Sequence, residues 1–199
     1  SSEQAGDASL HFCIDAIEAA RNGLIDAIVT APISKTSWKL AGAKWPGHTE
    51  LLADQCKAPR KAMIFVGGPI KMALATIHVG LFDVRNKFTI GCVFEPIDLL
   101  NETLKQYFGI ENPKIGVAAL NPHAGEDGQF GDEEQRIISP AILLAQEQGI
   151  KCVGPIPADT LFLRASQGEF DGVVAMYHDQ GMIPIKLLSF REAVNVTVG

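Results

Sequence analysis

No apolar run approaches the roughly 18 residues that a membrane-spanning helix needs. The first residues, Ser1-Ser2-Glu3-Gln4, offer no initiator Met, no basic n-region and no signal-peptide core. Cysteine is sparse: Cys13, Cys56, Cys92 and Cys152 are too far apart for a Cys-x-x-Cys clip or a short-range zinc pattern. They read as ordinary reduced thiols of a cytoplasmic protein. Positive charge is also short, with 17 Lys and Arg against 23 Asp and Glu and a formal charge of −6. That excludes a general nucleic-acid binder, which needs a basic footprint, but leaves room for a small anionic ligand held by a few local donors. There is no Gly-x-Gly-x-x-Gly fingerprint, no Walker loop and no Gly-x-Ser-x-Gly elbow. The triplet Gly125-x-x-Gly128-x-x-Gly131 is not a dinucleotide motif.

What is present is enough apolar side chain for a sizeable core: 47% of residues are hydrophobic and 20% charged. Residues 9–22 carry Leu10, Cys13, Ile14, Ile17 and Ala20 at helical period, ending at Gly23. Ala27-Ile28-Val29-Thr30 reads as a short buried strand, and Ser34 as the N-cap of a helix ending near Gly42. A helix near Thr49–Gln55 precedes strands at 62–66 and 71–75, joined by the turn Gly67-Gly68-Pro69. Helical period over 96–108 is followed by a strand at 115–120, a polar glycine-containing loop at 121–131 and a helix at 133–148. Further strands are expected at Cys152-Val153, 172–176 and 193–199, with a helix entry at Pro157-Ala158-Asp159-Thr160. Strand, loop and helix recur, which predicts an α/β sandwich with a largely buried sheet and no evident internal domain boundary across 1–199.

Four of the five histidines stand where a strand or loop ends: His48, His78, His123 and His178. His11 lies within the first helical pattern and reads as structural. In open α/β sheets ligands bind outside the carboxyl ends of strands, so histidines placed just past buried strands are candidates to converge. Neutral imidazoles suit a divalent metal, and three protein ligands leave a position for substrate. Periodicity alone does not say which three of the four would bind. Lys186, in the apolar stretch 183–188, reads either as a lysine snorkelling to solvent or as a group aimed at an anionic substrate or acting in proton transfer. Lys35 reads as structural, and Asp132-Glu133-Glu134 as the usual acidic bias at a helix start, without a catalytic role.

Five segments together resemble one family. They are Pro46-Gly47-His48-Thr49-Glu50, Ala75-Thr76-Ile77-His78, Asn121-Pro122-His123-Ala124-Gly125-Glu126, Pro157-Ala158-Asp159-Thr160-Leu161-Phe162 and Ala175-Met176-Tyr177-His178-Asp179-Gln180-Gly181. Their order and spacing are similar to the 4-hydroxythreonine-4-phosphate dehydrogenase (PdxA) family of pyridoxine biosynthesis. The resemblance implies an isocitrate/isopropylmalate dehydrogenase-like α/β/α sandwich with a mostly parallel sheet, truncated at both ends. It implies oxidation of 4-phosphooxy-L-threonine with NAD or NADP, then loss of carbon dioxide to give 3-amino-2-oxopropyl phosphate. It implies a cytoplasmic homodimer with its active site at the subunit interface. His78, His123 and His178 correspond to the ligands of a divalent metal, be it Zn, Co, Ni, Mn or Mg. His48, Thr49, Lys186 and Asn195 correspond to substrate contacts, Lys186 also being the candidate catalytic group. Cofactor contacts are not assigned. The chain reads as an internal piece expected to turn over poorly by itself, and Val79-Gly80-Leu81 lacks a proline that many members carry before the leucine. The alternatives are a sister dehydrogenase acting on 4-phospho-D-erythronate or 4-phospho-D-threonate, a metal-dependent lyase or hydrolase without nicotinamide, and a non-catalytic binding module.

Overall fold

In the computed structural model, which describes residues 1–199, the chain divides into two units, Ser1–Arg60 and Lys61–Gly199. The first unit is helical. Helix α1 (Glu3–Arg21) starts where the Ser2 hydroxyl accepts the Ala5 N–H, and α2 (Lys35–Leu40) where the Ser34 hydroxyl accepts the Ser37 N–H. Helix α3 covers His48–Cys56. Leu10, Ile17, Trp38 and Leu51 form the buried core of this unit. Gly6 is what lets α1 and α2 approach, because a Cβ there would run into the Ser37 carbonyl. The expected strand at 27–30 does not form: the segment joins no strand of the sheet, and Val29 is 97% exposed. An apolar run of that length has strand character only when a ladder partner satisfies its backbone.

The second unit is an α/β sandwich. Its elements are β1 (Ala62–Gly67), β2 (Ile70–Leu74), the short α4 (Val84–Lys87), α5 (Ile90–Phe108), β3 (Ile115–Ala118), α6 (Ser139–Glu147), β4 (Cys152–Ile156), α7 (Ala158–Ser166), β5 (Gly172–Ala175), α8 (His178–Ser189) and β6 (Val194–Val198). The strands form one sheet in the order β4-β3-β5-β2-β1-β6. The pairs β2–β5, β3–β5 and β3–β4 are parallel, while β1–β2 and β1–β6 are antiparallel, so the sheet is mostly parallel as expected. Period-two alternation sorts the strand side chains onto two faces. Ile64, Ala73, Val117 and Val174 pack on one side with Val93, Ile97, Leu100 and Leu104 of α5 and Ala141, Ile142 and Ala145 of α6. Met63, Phe65, Met72, Leu74, Val173 and Ala175 pack on the other with Leu161 and Phe162 of α7 and Met182 and Ile185 of α8.

One helix starts earlier than its sequence reading, and two run through a proline. Helix α5 begins at Ile90, where the Thr89 hydroxyl accepts the Cys92 N–H, and runs through a buried Pro96 rather than starting there. Helix α8 likewise continues through Pro184. In both, surrounding packing outweighs the lost N–H and the ring clash. The expected 133–148 helix opens as a π turn, Glu134–Ile138, before α6.

An ion pair at the edge of this unit makes a pH-dependent prediction. The Arg164 guanidinium donates both to Glu169 Oε1 and to Oε2 at 2.6 Å, and Lys114 adds a longer contact. Arg164, with help from Lys114, holds the Glu169 carboxyl at about 2, below its ordinary 4.5. A depressed carboxylate contributes stability that is fully present above the unfolded value and is lost as pH falls through the folded one. Glu169→Gln is therefore expected to flatten the fall in melting temperature between pH 4.5 and about 2. The effect is small, because the pair is exposed to solvent, and melts across that pH range read it.

Candidate metal centre at the strand ends

Strands β2, β5 and β3 are adjacent and parallel, so their carboxyl ends lie side by side. Each is followed within a few residues by one of the expected histidines: His78 after β2, His178 after β5 and His123 after β3. The β2 and β5 ends are tied further by the N–H groups of Ala75 and Thr76, which donate to the carbonyls of Ala175 and Met176. The Thr76 hydroxyl also donates to the Met176 carbonyl at 2.8 Å. Gln180 links β5 to β3, accepting the Met176 N–H and donating to the Ala119 carbonyl, each at 2.7 Å.

This framework brings His78 and His178 together, with ring centroids 5.8 Å apart and planes inclined by 39°. Both line a cleft of about 460 Å³ with Leu81, Val84, Tyr177 and Asp179. His123 is not brought into the same group: among the described residues, no three His, Cys, Asp or Glu side chains of one chain form a set able to hold a metal. His123 pairs instead with Glu126, Nδ1 to Oε2 at 2.9 Å. His178 pairs with Asp179, Nδ1 to Oδ1 at 2.6 Å. In each pair the imidazole as donor keeps its proton on Nδ1 and leaves Nε2 as a lone pair, the arrangement seen in carboxylate–histidine–metal sites. The donor set thus fits a divalent transition metal in its chemistry. Burial pushes the Cys152 thiol up to about 11 and the Cys92 thiol up as well, which disfavours the thiolate at both.

The segment 121–131 is a built turn rather than a free loop. Over Pro122–Gly128 five consecutive residues, His123 to Asp127, have positive φ: 52°, 55°, 83°, 42° and 55°. Four of the five carry a side chain, and a left-handed residue of that kind costs roughly 1–2 kcal/mol. Strain of this size persists only where the surroundings over-determine it.

The substrate candidates are distributed over both units. His48, the first residue of α3, packs edge-on against Trp38 at 5.5 Å, and Thr49 follows it, half-buried. Lys186 is exposed near the end of α8, and Asn195 is exposed on the edge strand β6 opposite Phe65. Sequence reasoning read Glu134 only as helix-start acidic bias and gave Asp179, Gln180 and Glu126 no individual role, although these residues bond the histidines and the strand ends. A carboxylate adjacent to or three residues from a histidine was the one signal available for Asp179 and Glu126.

The model of the pyridoxal phosphate biosynthetic protein PdxA matches residues 1–199. The chain belongs to the PdxA family. It is 48% identical over 194 residues to a 4-hydroxythreonine-4-phosphate dehydrogenase of Desulforapulum autotrophicum, covering 98% of this chain and 57% of that protein. It is also 46% identical to a D-threonate 4-phosphate dehydrogenase of Cupriavidus necator, covering 98% of this chain and 59% of that protein. A crystal structure of 4-hydroxythreonine-4-phosphate dehydrogenase from Klebsiella pneumoniae superposes with a TM-score of 0.94 at 41% identity, over all of this chain and 60% of that one. The chain thus spans somewhat under two thirds of the length of the relatives it matches.

Proposed function

We propose that the full-length protein is a metal-dependent, NAD- or NADP-linked dehydrogenase that oxidises 4-phosphooxy-L-threonine and decarboxylates the product to 3-amino-2-oxopropyl phosphate. The observation that carries this reading is the placement of His78, His123 and His178 after three adjacent parallel strands, in a member of the PdxA family. When bound, a divalent metal supplies Lewis acidity for oxidation of a hydroxyl and for the decarboxylation that follows. The protein's own residues prepare for it. Asp179 and Glu126 hold the Nδ1 protons of His178 and His123, so that Nε2 of each faces outward as a donor. Lys186 offers a positive charge to phosphate or carboxylate and is the candidate group for proton transfer. His48, Thr49 and Asn195 offer hydrogen bonds that orient the substrate. A nicotinamide cofactor, when bound, would supply the hydride acceptor.

A homodimer, as the family resemblance implies, would let a second copy contribute to the site. The exposed apolar residues Ile183, Leu187, Leu188 and Phe190 near the end of α8, with Val194 and Val196 of β6, support a covered face there. Four unpaired cysteines are in keeping with a cytoplasmic location, and no helix is long and apolar enough to cross a membrane.

A second reading, dehydrogenation of 4-phospho-D-threonate or 4-phospho-D-erythronate, is favoured by relatives named D-threonate 4-phosphate dehydrogenase at 44% and 46% identity. The deciding assay gives full-length protein each substrate with NAD⁺ or NADP⁺ and follows reduced cofactor. The expected result is a kcat/KM at least tenfold higher on 4-phosphooxy-L-threonine. A preference for the amino-free substrates selects the second reading. Chelator-sensitive cleavage with no cofactor reduction would replace both with a lyase or hydrolase.

A further inference from the structure

Glu134 is charged by type yet only 3% exposed. Of its neighbours in sequence, Glu133 is half-buried and Gln135 exposed, while the π turn that Glu134 begins carries its side chain inward together with Ile137 and Ile138. Single π turns of this kind are frequent at functional sites. The Glu134 carboxylate meets three donors, all from two consecutive residues. The Leu120 and Asn121 N–H groups donate to Oε1 at 2.8 and 2.7 Å, and the Asn121 side-chain amide donates to Oε2 at 2.9 Å. That amide also donates to Glu133 Oε2 at 2.8 Å.

These two residues join the end of β3 to the left-handed turn that holds His123 and Glu126. The carboxylate reaches the middle of the turn as well. A Cβ added at Gly125 would lie 2.9 Å from Glu134 Oε2 and 3.0 Å from the Gly131 carbonyl, with the backbone there at φ +83°. The turn is therefore fixed at its entry by hydrogen bonds to Glu134, and the same carboxylate lies beside its centre, leaving no room for a side chain at Gly125.

We propose that Glu134 is a positioning residue of the candidate metal centre: by clamping Leu120 and Asn121, and by lying beside Gly125, it holds the strained turn in the one path that sets where His123 and Glu126 stand. The inference rests on the reading of His123 as a metal ligand. An acidic residue at a helix start is ordinarily a solvated partner of the helix dipole. Burial, the three inward donors and the strained turn set Glu134 apart from that role.

The test uses full-length protein with Glu134→Ala and Glu134→Gln, titrated with Co²⁺ by calorimetry. Alanine removes all three acceptor contacts. Glutamine keeps a carbonyl for the two backbone donors and leaves the Asn121 amide without its partner on Oε2. The Co²⁺ dissociation constant is expected to rise about 10–100-fold in the alanine variant, as for outer-shell partners of metal ligands, and by less in the glutamine variant. Hydrogen exchange is expected to lose protection over 120–128 while β3 keeps its own. Leu104→Ala, in the core cluster that also holds Ile137 and Ile138, serves as the control for mere loss of stability: it should lower the melting temperature and leave the Co²⁺ affinity unchanged. Wild-type affinity and exchange in Glu134→Ala overturn the inference and leave the functional reading standing. Wild-type protein that binds no Co²⁺ overturns both.

Discussion

In full-length protein, His178→Ala is expected to release the divalent metal and to lower kcat/KM by about 10³-fold or more, with the fold intact. A Lewis acid contributes several kcal/mol to a reaction that develops charge on oxygen. At about 1.4 kcal/mol per tenfold in rate, losing some 4 kcal/mol gives that factor. The fold should tolerate the change, because His178 opens α8 at the surface while the helix is anchored by Met182 and Ile185 on the sheet. The Gln180 bridge between β5 and β3 is untouched by it. His78→Ala should behave alike, since its ring stands 5.8 Å from that of His178. His11→Ala is the matched control: His11 is exposed on α1, contacts Asp7 and should leave metal content and rate unchanged. Metal analysis of the purified variants with steady-state rates decides it. Full metal occupancy in both His78→Ala and His178→Ala, at wild-type rates, would remove these histidines from the centre.

The sheet was largely readable because its information is local. Gly67-Gly68-Pro69 between two apolar runs announces the β1–β2 hairpin, and the runs at 115–118 and 172–175 are buried on both faces as their unbroken apolar character requires. Ala27–Thr30 misleads for the same reason: its composition matches a buried strand, but strand formation depends on a partner elsewhere. Pro96 reads as a start because proline is costly inside an isolated helix, whereas here packing carries α5 across it. The Thr89 cap was a usable signal for the true start of α5.

At the site, topology was the readable part. Histidines past the ends of buried strands can be recognised from sequence, and the parallel order β3-β5-β2 explains why those ends adjoin. The path of 121–131 was not readable. Glycine marks only one of the five left-handed positions, and His123, Ala124, Glu126 and Asp127 adopt positive φ against their own preference. Hydrogen bonds from residues 120 and 121 to a carboxylate 13 to 14 residues away help to impose that geometry, and no local pattern encodes it. The same holds for Glu134, whose sequence context is that of a helix start.

Trp38→Ala should give the largest loss of stability, about 3–5 kcal/mol, the usual range for emptying a buried tryptophan site. Trp38 is 1% exposed at the centre of a core that otherwise has only Leu10, Ile17 and Leu51 fully buried, so little can collapse into the space. Its indole N–H also donates to the Ser9 hydroxyl at 2.9 Å, fastening α2 to α1. Trp38→Phe keeps an aromatic ring and loses that donor, which predicts a smaller cost of about 1–3 kcal/mol. Trp45, the second of the two tryptophans, remains as the fluorescent probe of unit 1 during urea unfolding. The consequence extends to His48, whose ring meets the indole edge-on and whose pKa burial pushes below its ordinary 6.5. A depressed histidine leaves the unfolded chain binding more protons, so stability falls as pH drops below 6.5. Removing the indole lets water reach the imidazole and should move its titration back towards 6.5, read from the His48 ring protons by NMR. A Trp38→Ala protein that unfolds at the wild-type urea midpoint, with His48 titrating as before, would show that neither the small core nor His48 depends on this side chain.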